Sequence, residues 1–258
     1  MRIVEPYAKM VSTYPDGRAI ITQIATAART SHKSESSGYE ADLELVRKLI
    51  GWGHLSCLEH AVLSADIRTD RGVTHELVRH RLASYVQEST RYVDYADGIE
   101  IVLPHEMEAL SRAYQQCLLV CKEAELAYIR LRRTGTKPEI ARAILPTCLK
   151  ADIFMTANLR EWRTIFALRC DKAAHPDIRW ICCQLLEQFR EYVPVVFDDL
   201  ETEEADVATV RHGRWVLRPG TVSRYECSCC HCDGAAYFKF FSYCPDCGAR
   251  MDEKEESV

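Results

Sequence analysis

The sequence has no uncharged apolar run that approaches the ~18 residues needed to span a bilayer, and its first thirty residues contain no apolar run of the signal-peptide type. These absences predict a cytoplasmic protein. No G-x-G-x-x-G motif occurs, which argues against a dinucleotide cofactor bound on a Rossmann fold. Repeats with periods of about 20–50 residues are also absent. The formal net charge of −5 lacks the basic excess of a general nucleic-acid-binding protein.

Length and composition are those of a globular protein with one substantial core and room for a small appendage. The 258 residues are 47% hydrophobic and 28% charged. The 13 cysteines stand out, and their distribution separates them into two groups. Seven are scattered through apolar or helical contexts, where a thiol behaves as a small hydrophobic group. The other six lie between residues 227 and 247, and in a reducing compartment this crowding favours a metal site over disulfides.

The crowded cysteines have the spacing of a zinc ribbon. Two C-x2-C pairs are separated by thirteen residues, and four thiolates would complete a closed, structural site. The predicted ligands are Cys227, Cys230, Cys244 and Cys247. Cys229 and Cys232 form an overlapping pair, so they stay alternatives for the first two positions. Basic and aromatic residues over 211–241 leave open whether the ribbon binds nucleic acid or contains an ordinary hydrophobic strand with solvated neighbours.

Composition divides the chain into four segments. We predict a main domain over 1–197, an acidic linker over 198–210, the zinc ribbon over 211–252 and an acidic tail over 253–258. The linker assignment depends on a run of carboxylates without apolar period.

Hydrophobic periodicity predicts strands and helices through the main domain. Strands are predicted over 1–7, 61–69, 99–103 and 147–156. Helices are predicted over 19–29, 41–52, 106–133, 138–145, 158–169 and 175–192, with a further helix capped by Asp70. Val78 and Leu168 are expected on buried helix faces, and capping boxes are expected at Thr136–Glu139 and Asn158–Glu161. The histidines of the segment 53–60 favour a helix cap over a metal site, because no further ligand pair accompanies them.

The stretch from Arg79 to Tyr92, R-H-R-L-A-S-Y-V-Q-E-S-T-R-Y, carries the densest chemistry in the chain. Its three arginines offer planar, permanently charged donors that suit phosphate, and His80 titrates near neutrality. The stretch contains no Lys, and hydroxyl groups lie beside its arginines, unlike a solvated helix face with mixed Lys and Glu. The residues alone leave a phosphate-ligand site and a charged surface as alternatives.

The patterns place this stretch at the C-terminal end of a helix and in the loop that follows. Successive helix residues are about 100° apart, so Arg79, His80 and Arg81 cannot all point into one pocket. This predicts either a ligand that wraps around the helix end or a site at a subunit interface.

The motif Arg79-His80-Arg81, followed after seven residues by Ser89, resembles the signature of the flavin-dependent thymidylate synthases. The neighbouring residues 84–85 and 90–92 match as well. Further positions agree in order and separation over residues 1–195: the segment His54–His60, Arg142, the segment that begins at Asn158, and Arg169. The resemblance implies an α+β fold with a central mixed or antiparallel sheet and long flanking helices, here with a zinc ribbon after it.

The resemblance also implies an activity, the reductive methylation of dUMP to dTMP. In this family 5,10-methylenetetrahydrofolate supplies the carbon, NADPH reduces FAD, and the reduced flavin delivers hydride. The family forms homotetramers whose active sites draw on several subunits, so we expect the same assembly here and no membrane partner.

The resemblance assigns site residues at matching positions of this chain. FAD is expected to contact His54, Ser56, Arg79, His80, Arg81, Gln87, Asn158, Leu159, Arg160 and Thr164. The nucleotide dUMP is expected to contact Glu76, Arg79, Gln87, Glu88, Ser89, Thr90, Arg91, Arg142 and Arg169. Arg169 is the expected catalytic residue, which would polarise the uracil ring. Ser89 has no His–Asp relay nearby in the sequence, so we expect it to position the ligand and not to act as a nucleophile.

The chain departs from the family pattern at four positions. Cys57 stands where Pro is common, Glu76 where Gln often contacts the nucleotide, Val86 where a polar residue is frequent, and Thr164 where Asn is familiar. A carboxylate facing a phosphate is unfavourable, so Glu76 is expected to accept from a sugar hydroxyl or to pair with an arginine. Two alternatives remain: a phosphate-ligand flavoprotein without synthase activity, and a zinc-ribbon nucleic-acid-binding protein.

Overall fold

The computed structural model describes residues 1–109, 111–200, 212–217, 221, 224–229, 231, 233–234 and 250–251. The chain forms two compact units. The first comprises Met1–His105 and Glu125–Ala205, and the second comprises Glu106–Ala124 and Asp206–Val258. The division into four segments predicted from composition stays a prediction.

The described residues form helices and strands that mostly follow the hydrophobic pattern. The helices are α1 (Gly17–Thr30), α2 (Tyr39–Gly51), α3 (Arg71–Leu77), α4 (Arg112–Arg133), α5 (Pro138–Ala141), α6 (Leu159–Arg169) and α7 (Pro176–Tyr192), with 3₁₀ helices at Leu55–His60 and Arg142–Ile144. The strands of the first unit are β1 (Arg2–Ile3), β2 (Tyr7–Val11), β3 (Val62–Asp70), β4 (Ala83–Gln87), β5 (Glu100–Ile101) and β6 (Lys150–Asn158). No helix among these residues is long and apolar enough to cross a membrane.

A four-stranded antiparallel sheet, in the order β2-β3-β6-β4, lies at the centre of the first unit. Strand β3 alternates between buried Leu63, Ala65 and Ile67 and more exposed polar residues, which is the pattern of a sheet with one face on a core. Strands β1 and β5 add a short parallel pair. The expected α+β fold with an antiparallel main sheet is therefore confirmed.

Helices α6 and α7 cover the buried face of the sheet through a cluster of aromatic rings. Trp162 on α6 lies 5.4 Å from Phe166 and 4.9 Å from Phe189 on α7, measured between ring centroids. Phe197 packs edge-on against both phenylalanines at 5.6 and 5.5 Å. The indole Nε1 of Trp162 donates to the carbonyl oxygen of Leu63 at 2.9 Å, so the ring buries its polar atom with a partner. These contacts join α6 to α7 and, through Trp162, to strand β3.

Helix capping agrees with the sequence at two of three positions. Asp70 accepts from the amide of Val73 at 3.0 Å and Asn158 accepts from the amide of Glu161 at 2.8 Å, as predicted. The capping box expected at Thr136 is wrong. Helix α5 begins after Lys137, whose side chain makes no capping bond, and Pro138 supplies the first turn without an amide that needs a partner.

The prediction for the arginine-rich stretch is wrong in its local structure. Helix α3 ends at Leu77, so residues 79–81 lie in a turn and do not have the spacing of about 100° between helix residues. Residues 83–87 form strand β4, which pairs with β6, where a loop was expected. The hydroxyl of Tyr85 lies 2.7 Å from the carbonyl oxygen of Leu77 and 2.8 Å from that of His80, which closes the helix end from the neighbouring strand.

Three smaller expectations also need correction. Val78 and Leu168, expected on buried faces, are 37% and 59% exposed. The first residues of the predicted acidic linker belong to the fold of the first unit. The carboxylate of Asp199 accepts two hydrogen bonds from the buried guanidinium of Arg163, at 2.6 and 2.7 Å, and Leu200 packs against the core.

The second unit contains short strands. These are β7 (His212–Gly213), β8 (Trp215–Leu217), β9 (Tyr225–Cys227), β10 (Asp233–Gly234) and β11 (Arg250–Met251). Strands β8, β9 and β10 form an antiparallel sheet that pairs Trp215 with Cys227, and both side chains are buried. Of the predicted zinc ligands only Cys227 is described. Cys230, Cys244 and Cys247, and the alternative ligand Cys232, lie outside the described residues.

Candidate functional site

The guanidinium of Arg169, at the last residue of α6, is held on three sides. Its Nε donates to the Nε2 of His80 at 3.0 Å, its Nη1 donates to the Oε2 of Glu76 at 2.7 Å, and its Nη2 donates to the carbonyl oxygen of Glu76 at 3.3 Å. A guanidinium has five N–H groups, so two remain beyond these three contacts. With 21% of its side chain exposed, Arg169 is a preset cation that can still donate to a ligand.

His80 is buried at 7% exposure, next to the guanidinium of Arg169. Burial, and secondarily the positive charge of Arg169, hold the pKa of this imidazole below its ordinary value. Because the Nε of Arg169 can only donate, the Nε2 of His80 must be the unprotonated acceptor and Nδ1 carries the proton. Nδ1 lies 3.9 Å from the Oε1 of Glu161. This carboxyl group is buried, and its burial raises its pKa. His80 thus helps to orient the guanidinium of Arg169.

The two arginines that flank His80 have a different environment. Arg79 and Arg81 are exposed, and neither guanidinium makes a hydrogen bond or ion pair to another residue in the described part of the chain. In the turn between α3 and β4 they are therefore unneutralised cations beside a fixed one. Such a cluster suits a polyanionic ligand.

A second group of predicted flavin contacts lies around the N-terminus of α6. The amide of Leu159 donates to the carbonyl oxygen of Ala61 at 3.0 Å, and the Nη1 of Arg160 lies 2.5 Å from the Oε1 of Glu59. These bonds join α6 to the 3₁₀ helix Leu55–His60, where Ser56 is exposed. His54, also exposed, precedes this helix with its ring edge-on to Trp52 at 6.0 Å.

Two other predicted flavin contacts are occupied within the protein. The hydroxyl of Thr164 donates back to the carbonyl oxygen of Arg160 at 3.3 Å, and the Nε2 of Gln87 donates to the hydroxyl of Thr74 at 2.9 Å. Residues 160 and 169 are about 14 Å apart along the helix axis. The expected flavin residues therefore form two groups near the two ends of α6. The distance between these ends suits an extended dinucleotide.

The predicted nucleotide residues meet in the turn after β4. Thr90 is buried and its hydroxyl accepts from the Nη1 of Arg142 at 3.1 Å. The hydroxyl of Ser89 accepts from the amide of Arg91 at 3.3 Å, and the guanidinium of Arg91 lies exposed, 5.5 Å from the ring centroid of Tyr92. The structure thus brings Arg142 close to three residues that are consecutive in the sequence, Ser89, Thr90 and Arg91.

Both glutamates in the predicted nucleotide set are engaged by other residues of the protein. Glu76 pairs with Arg169, which is one of the two outcomes expected for it. The carboxylate of Glu88 binds the ammonium group of Lys150 and the hydroxyl of Tyr95. Sequence reasoning missed Lys150, Tyr95 and Glu161. A lysine at the start of strand β6, which is mostly apolar, was the one available signal for Lys150.

The fold is similar to that of a nucleotide methylase. The UMP/dUMP methylase PolB from Streptomyces cacaoi, bound with 5-Br dUMP, superposes with a TM-score of 0.64 at 21% sequence identity. The match covers 77% of this chain and 96% of PolB. A second structure of PolB, bound with 5-Br UMP, gives a TM-score of 0.62. This likeness shows the class of fold, an α+β architecture shared with PolB.

The sequence comparisons define the family. The family described as "Thymidylate synthase complementing protein" (Thy1) matches residues 9–195. A flavin-dependent thymidylate synthase from Mycolicibacterium gilvum is 35% identical over 208 residues, which are 74% of this chain and 82% of that protein. Those from Geobacter sulfurreducens and Pyrococcus furiosus are 35% and 37% identical, over 59% and 55% of this chain. The aligned regions span 66% and 59% of those two relatives. The chain belongs to the Thy1 family of flavin-dependent thymidylate synthases.

Proposed function

We propose that this protein is a methyltransferase that converts dUMP to dTMP, with 5,10-methylenetetrahydrofolate as carbon donor and FAD reduced by NADPH. The observation that carries the proposal is the Arg169 guanidinium, preset by His80 and Glu76 beside the arginines of the Arg79–Arg91 stretch. Family membership over residues 9–195 supports the same reaction. The protein would operate in the cytoplasm, where reduced thiols and the folate are available.

The residues present fit a bound flavin dinucleotide. Arg79 and Arg81 are unneutralised cations for its pyrophosphate, and the exposed His54, Ser56 and Arg160 border the N-terminal end of α6. His80 is buried and acts through Arg169. When bound, the flavin supplies the hydride chemistry, which no protein side chain provides.

The nucleotide is proposed to bind at the turn after β4. Arg91 and Arg142 would hold the phosphate, with Ser89 and Thr90 donating from hydroxyl groups. The Ser89 hydroxyl already accepts from the amide of Arg91, and no described His or carboxylate is bonded to it. Ser89 therefore lacks the base that a nucleophilic serine needs, which supports a positioning role.

Arg169 is proposed to stabilise negative charge on the uracil ring while its C5 carbon is activated. A cation that is already fixed in place stabilises developing charge without reorganisation, which is the efficient form of electrostatic catalysis. Glu76 holds this cation on one side, so the departure from Gln at that position does not place a carboxylate on the phosphate.

One experiment tests the reaction directly. The purified protein is examined for a visible flavin spectrum, reduced anaerobically with NADPH, and then mixed with dUMP and the folate. We expect the flavin to bleach and then to reoxidise with formation of dTMP. A protein that cannot be loaded with FAD, or that reoxidises only with oxygen and forms no dTMP, would contradict the proposal.

The C-terminal segment is proposed to be a structural zinc ribbon over 211–252. It would be joined to the synthase domain by the acidic segment 198–210, of which Asp199 and Leu200 pack on the first unit. The amide of Cys229 donates to the Sγ of Cys227 at 3.3 Å. Metal-bound sulfur is commonly supported by hydrogen bonds of this kind. This supports Cys227, which is buried, over the exposed Cys229 as the first ligand. One zinc per chain, lost in Cys244→Ser but kept in Cys229→Ser, is the expected result of metal analysis.

A homotetramer with shared active sites completes the proposal. Strand β4 and its neighbour β6 present Val86 and Phe154 outward at 75% and 41% exposure, and these residues are paired across the two strands. An outward apolar pair on a sheet face supports burial against another subunit. Light scattering should give four times the chain mass of 29.5 kDa.

A further inference from the structure

We propose that Lys150 is a positioning residue for the nucleotide, which acts by holding the carboxylate of Glu88 and thereby the turn that contains Ser89, Thr90 and Arg91. The identity of the nucleotide rests on the proposed function. Lys150 itself is 9% exposed at the first residue of β6, so it acts through Glu88.

Both oxygens of the Glu88 carboxylate are bound within the protein. The Nζ of Lys150 donates to Oε2 at 2.6 Å, and the hydroxyl of the buried Tyr95 donates to Oε1 at 2.6 Å. The side chains of Lys150 and Glu88 are only 11% and 12% exposed, so water competes little for this pair. Both carboxylate oxygens thus have partners within the protein, so Glu88 is not expected to bind the ligand with its side chain.

The main chain of Glu88 is held as firmly as its side chain. Its amide donates to the carbonyl oxygen of Asp152 on β6 at 2.8 Å, and its own carbonyl oxygen accepts from the guanidinium of Arg71 at 3.4 and 3.5 Å. Glu88 is the last residue held by the sheet before the chain leaves β4. The position of Glu88 therefore determines where the next three residues, Ser89, Thr90 and Arg91, begin.

Lys150 is the centre of a small network of charges. Its Nζ lies 2.9 Å from the Oδ2 of Asp152 and 3.6 Å from the Oε2 of Glu100, in addition to Glu88. Burial opposes the charge of Lys150, but hydrogen bonds to Asp152 and Glu88 outweigh it and raise the pKa of the amine. Removal of this cation would leave the Glu88 carboxylate, whose side chain is 12% exposed, with the Tyr95 hydroxyl but without the ammonium group that binds it.

The turn beyond Glu88 transmits this anchoring to the proposed ligand contacts. The carbonyl oxygen of Ser89 accepts from the amides of Tyr92 at 3.1 Å and Val93 at 3.0 Å, which makes the turn tight. Thr90 points inward to Arg142, while Arg91 points to solvent. A shift of Glu88 therefore moves the Arg91 guanidinium relative to Arg142, and a phosphate held by both would lose one partner.

The test uses the full-length, FAD-loaded protein with four variants. Lys150→Met removes the cation, Lys150→Arg keeps it, Tyr95→Phe removes one hydrogen bond, and Arg68→Gln is the matched control. Arg68 pairs with Asp152 at 2.8 Å on the same sheet and does not contact Glu88. The measurements are kcat and KM for dUMP, the dUMP dissociation constant from the change in flavin absorbance, and the melting temperature.

We expect Lys150→Met to raise both KM and the dissociation constant for dUMP about tenfold with kcat nearly unchanged, and Tyr95→Phe to raise them about threefold. Lys150→Arg should recover most of the affinity, and Arg68→Gln should bind dUMP like the wild type. A lower melting temperature with unchanged dUMP affinity in Lys150→Met, or in Tyr95→Phe if Lys150→Met does not fold, overturns the proposal.

The wild-type control separates this inference from the proposed function. A wild-type protein that carries flavin but binds no dUMP overturns the proposed function, and with it the role of Lys150 in nucleotide binding. A wild-type protein that binds dUMP, together with variants that bind it equally well, overturns the role of Lys150 alone.

Discussion

Arg169 shows at the scale of single residues how a preset cation is built. Its guanidinium is shared between an imidazole, a carboxylate and a backbone carbonyl, and each of these partners comes from the segment 76–80. Three contacts fix its plane and its position, while two N–H groups remain for a ligand. A lysine at the same place has one nitrogen and cannot satisfy the three acceptors in the same geometry.

The first prediction concerns the guanidinium of Arg169. Arg169→Lys should lower kcat about 100-fold or more, because the charge remains but its fixed orientation is lost, while the flavin spectrum is retained. Stopped-flow reoxidation of the reduced enzyme with dUMP and folate measures the effect. Arg179→Lys is the matched control and should react like the wild type. Arg179 is partly exposed on α7, and its guanidinium donates to the carbonyl oxygen of Lys172 at 3.1 Å. A near-normal rate in Arg169→Lys would remove the guanidinium geometry from the mechanism.

The second prediction concerns the pH dependence of His80. Its pKa in the unfolded chain lies near 6.5, and burial followed by the charge of Arg169 places it lower in the folded protein. The unfolded chain therefore binds more protons between these two values, so the contribution of neutral His80 to stability is complete above pH 6.5 and is lost as the pH falls through that window.

Melting temperatures measured on the wild type and on His80→Gln between pH 8 and 5 test this sign. The wild type should lose more stability on acidification than the variant, whose amide does not titrate. The difference between the two curves separates the imidazole from Glu161, whose raised pKa both proteins share. A wild type that gains stability relative to His80→Gln as the pH falls would contradict the burial of a neutral imidazole.

Close backbone contact between two elements decides the place of α1. A Cβ atom added to Gly17, the first residue of α1, would lie 1.6 Å from the carbonyl oxygen of Tyr192, the last residue of α7. The contact is with backbone, so no side-chain rotation relieves it. Only a residue without a Cβ atom therefore fits at the N-terminus of α1, because the C-terminal end of α7 lies against it.

The third prediction follows from this contact. Gly17→Ala should destabilise the protein by roughly 4 kcal/mol or more, or prevent folding, because two helices must separate. Gly51→Ala, at the last residue of α2 with nothing within 4 Å of its added Cβ, should be neutral or stabilise by up to about 1 kcal/mol. Urea unfolding of both variants measures the contrast. Equal stability of the two variants would mean that α7 does not approach α1 as closely as described.

The C-terminal boundary of the first unit depends on a contact between residues far apart in the chain, Asp199 and Arg163. The predicted domain end at residue 197 lies two residues short of Asp199, which neutralises the buried guanidinium of Arg163. That hydrogen bond from Arg163 also lowers the pKa of the Asp199 carboxyl. The acidic composition of residues 198–206 hides this structural carboxylate among solvated ones.

The fourth prediction compares two truncated proteins. A chain that ends at Leu200 should be more stable than one that ends at Phe197 by about 1–2 kcal/mol, since loss of Asp199 leaves a buried cation unpaired; the figure allows for the exposure of Asp199. Thermal unfolding of both proteins, with Asp199→Asn in the longer one, measures the difference. If all three unfold alike, Asp199 belongs to the linker as composition suggested.

Local patterns were sufficient for most elements of the first unit. Strand β3, helices α1, α2, α6 and α7, and the caps at Asp70 and Asn158 are confirmed. Each depends on interactions within a few residues, or on an apolar period that any core would bury. The failure at residues 79–87 has a distant cause, because strand β6 pairs with residues 83–87 and determines their conformation. Thr136 instead lies in a turn held by Leu131 and Arg132 of the preceding helix.

The amino-acid sequence by itself determined the family, the order of most helices and strands, and the stretch Arg79–Tyr92, because motif spacing and hydrophobic period are local properties. Only the tertiary structure decided what the charges in that stretch do. It pairs Arg169 with Glu76 and His80, and it turns Glu88 toward Lys150 and Tyr95. These partners are 7 to 93 residues apart. A carboxylate that meets a buried cation is engaged by it, and which cation it meets depends on strand pairing and helix packing, neither of which a local pattern specifies.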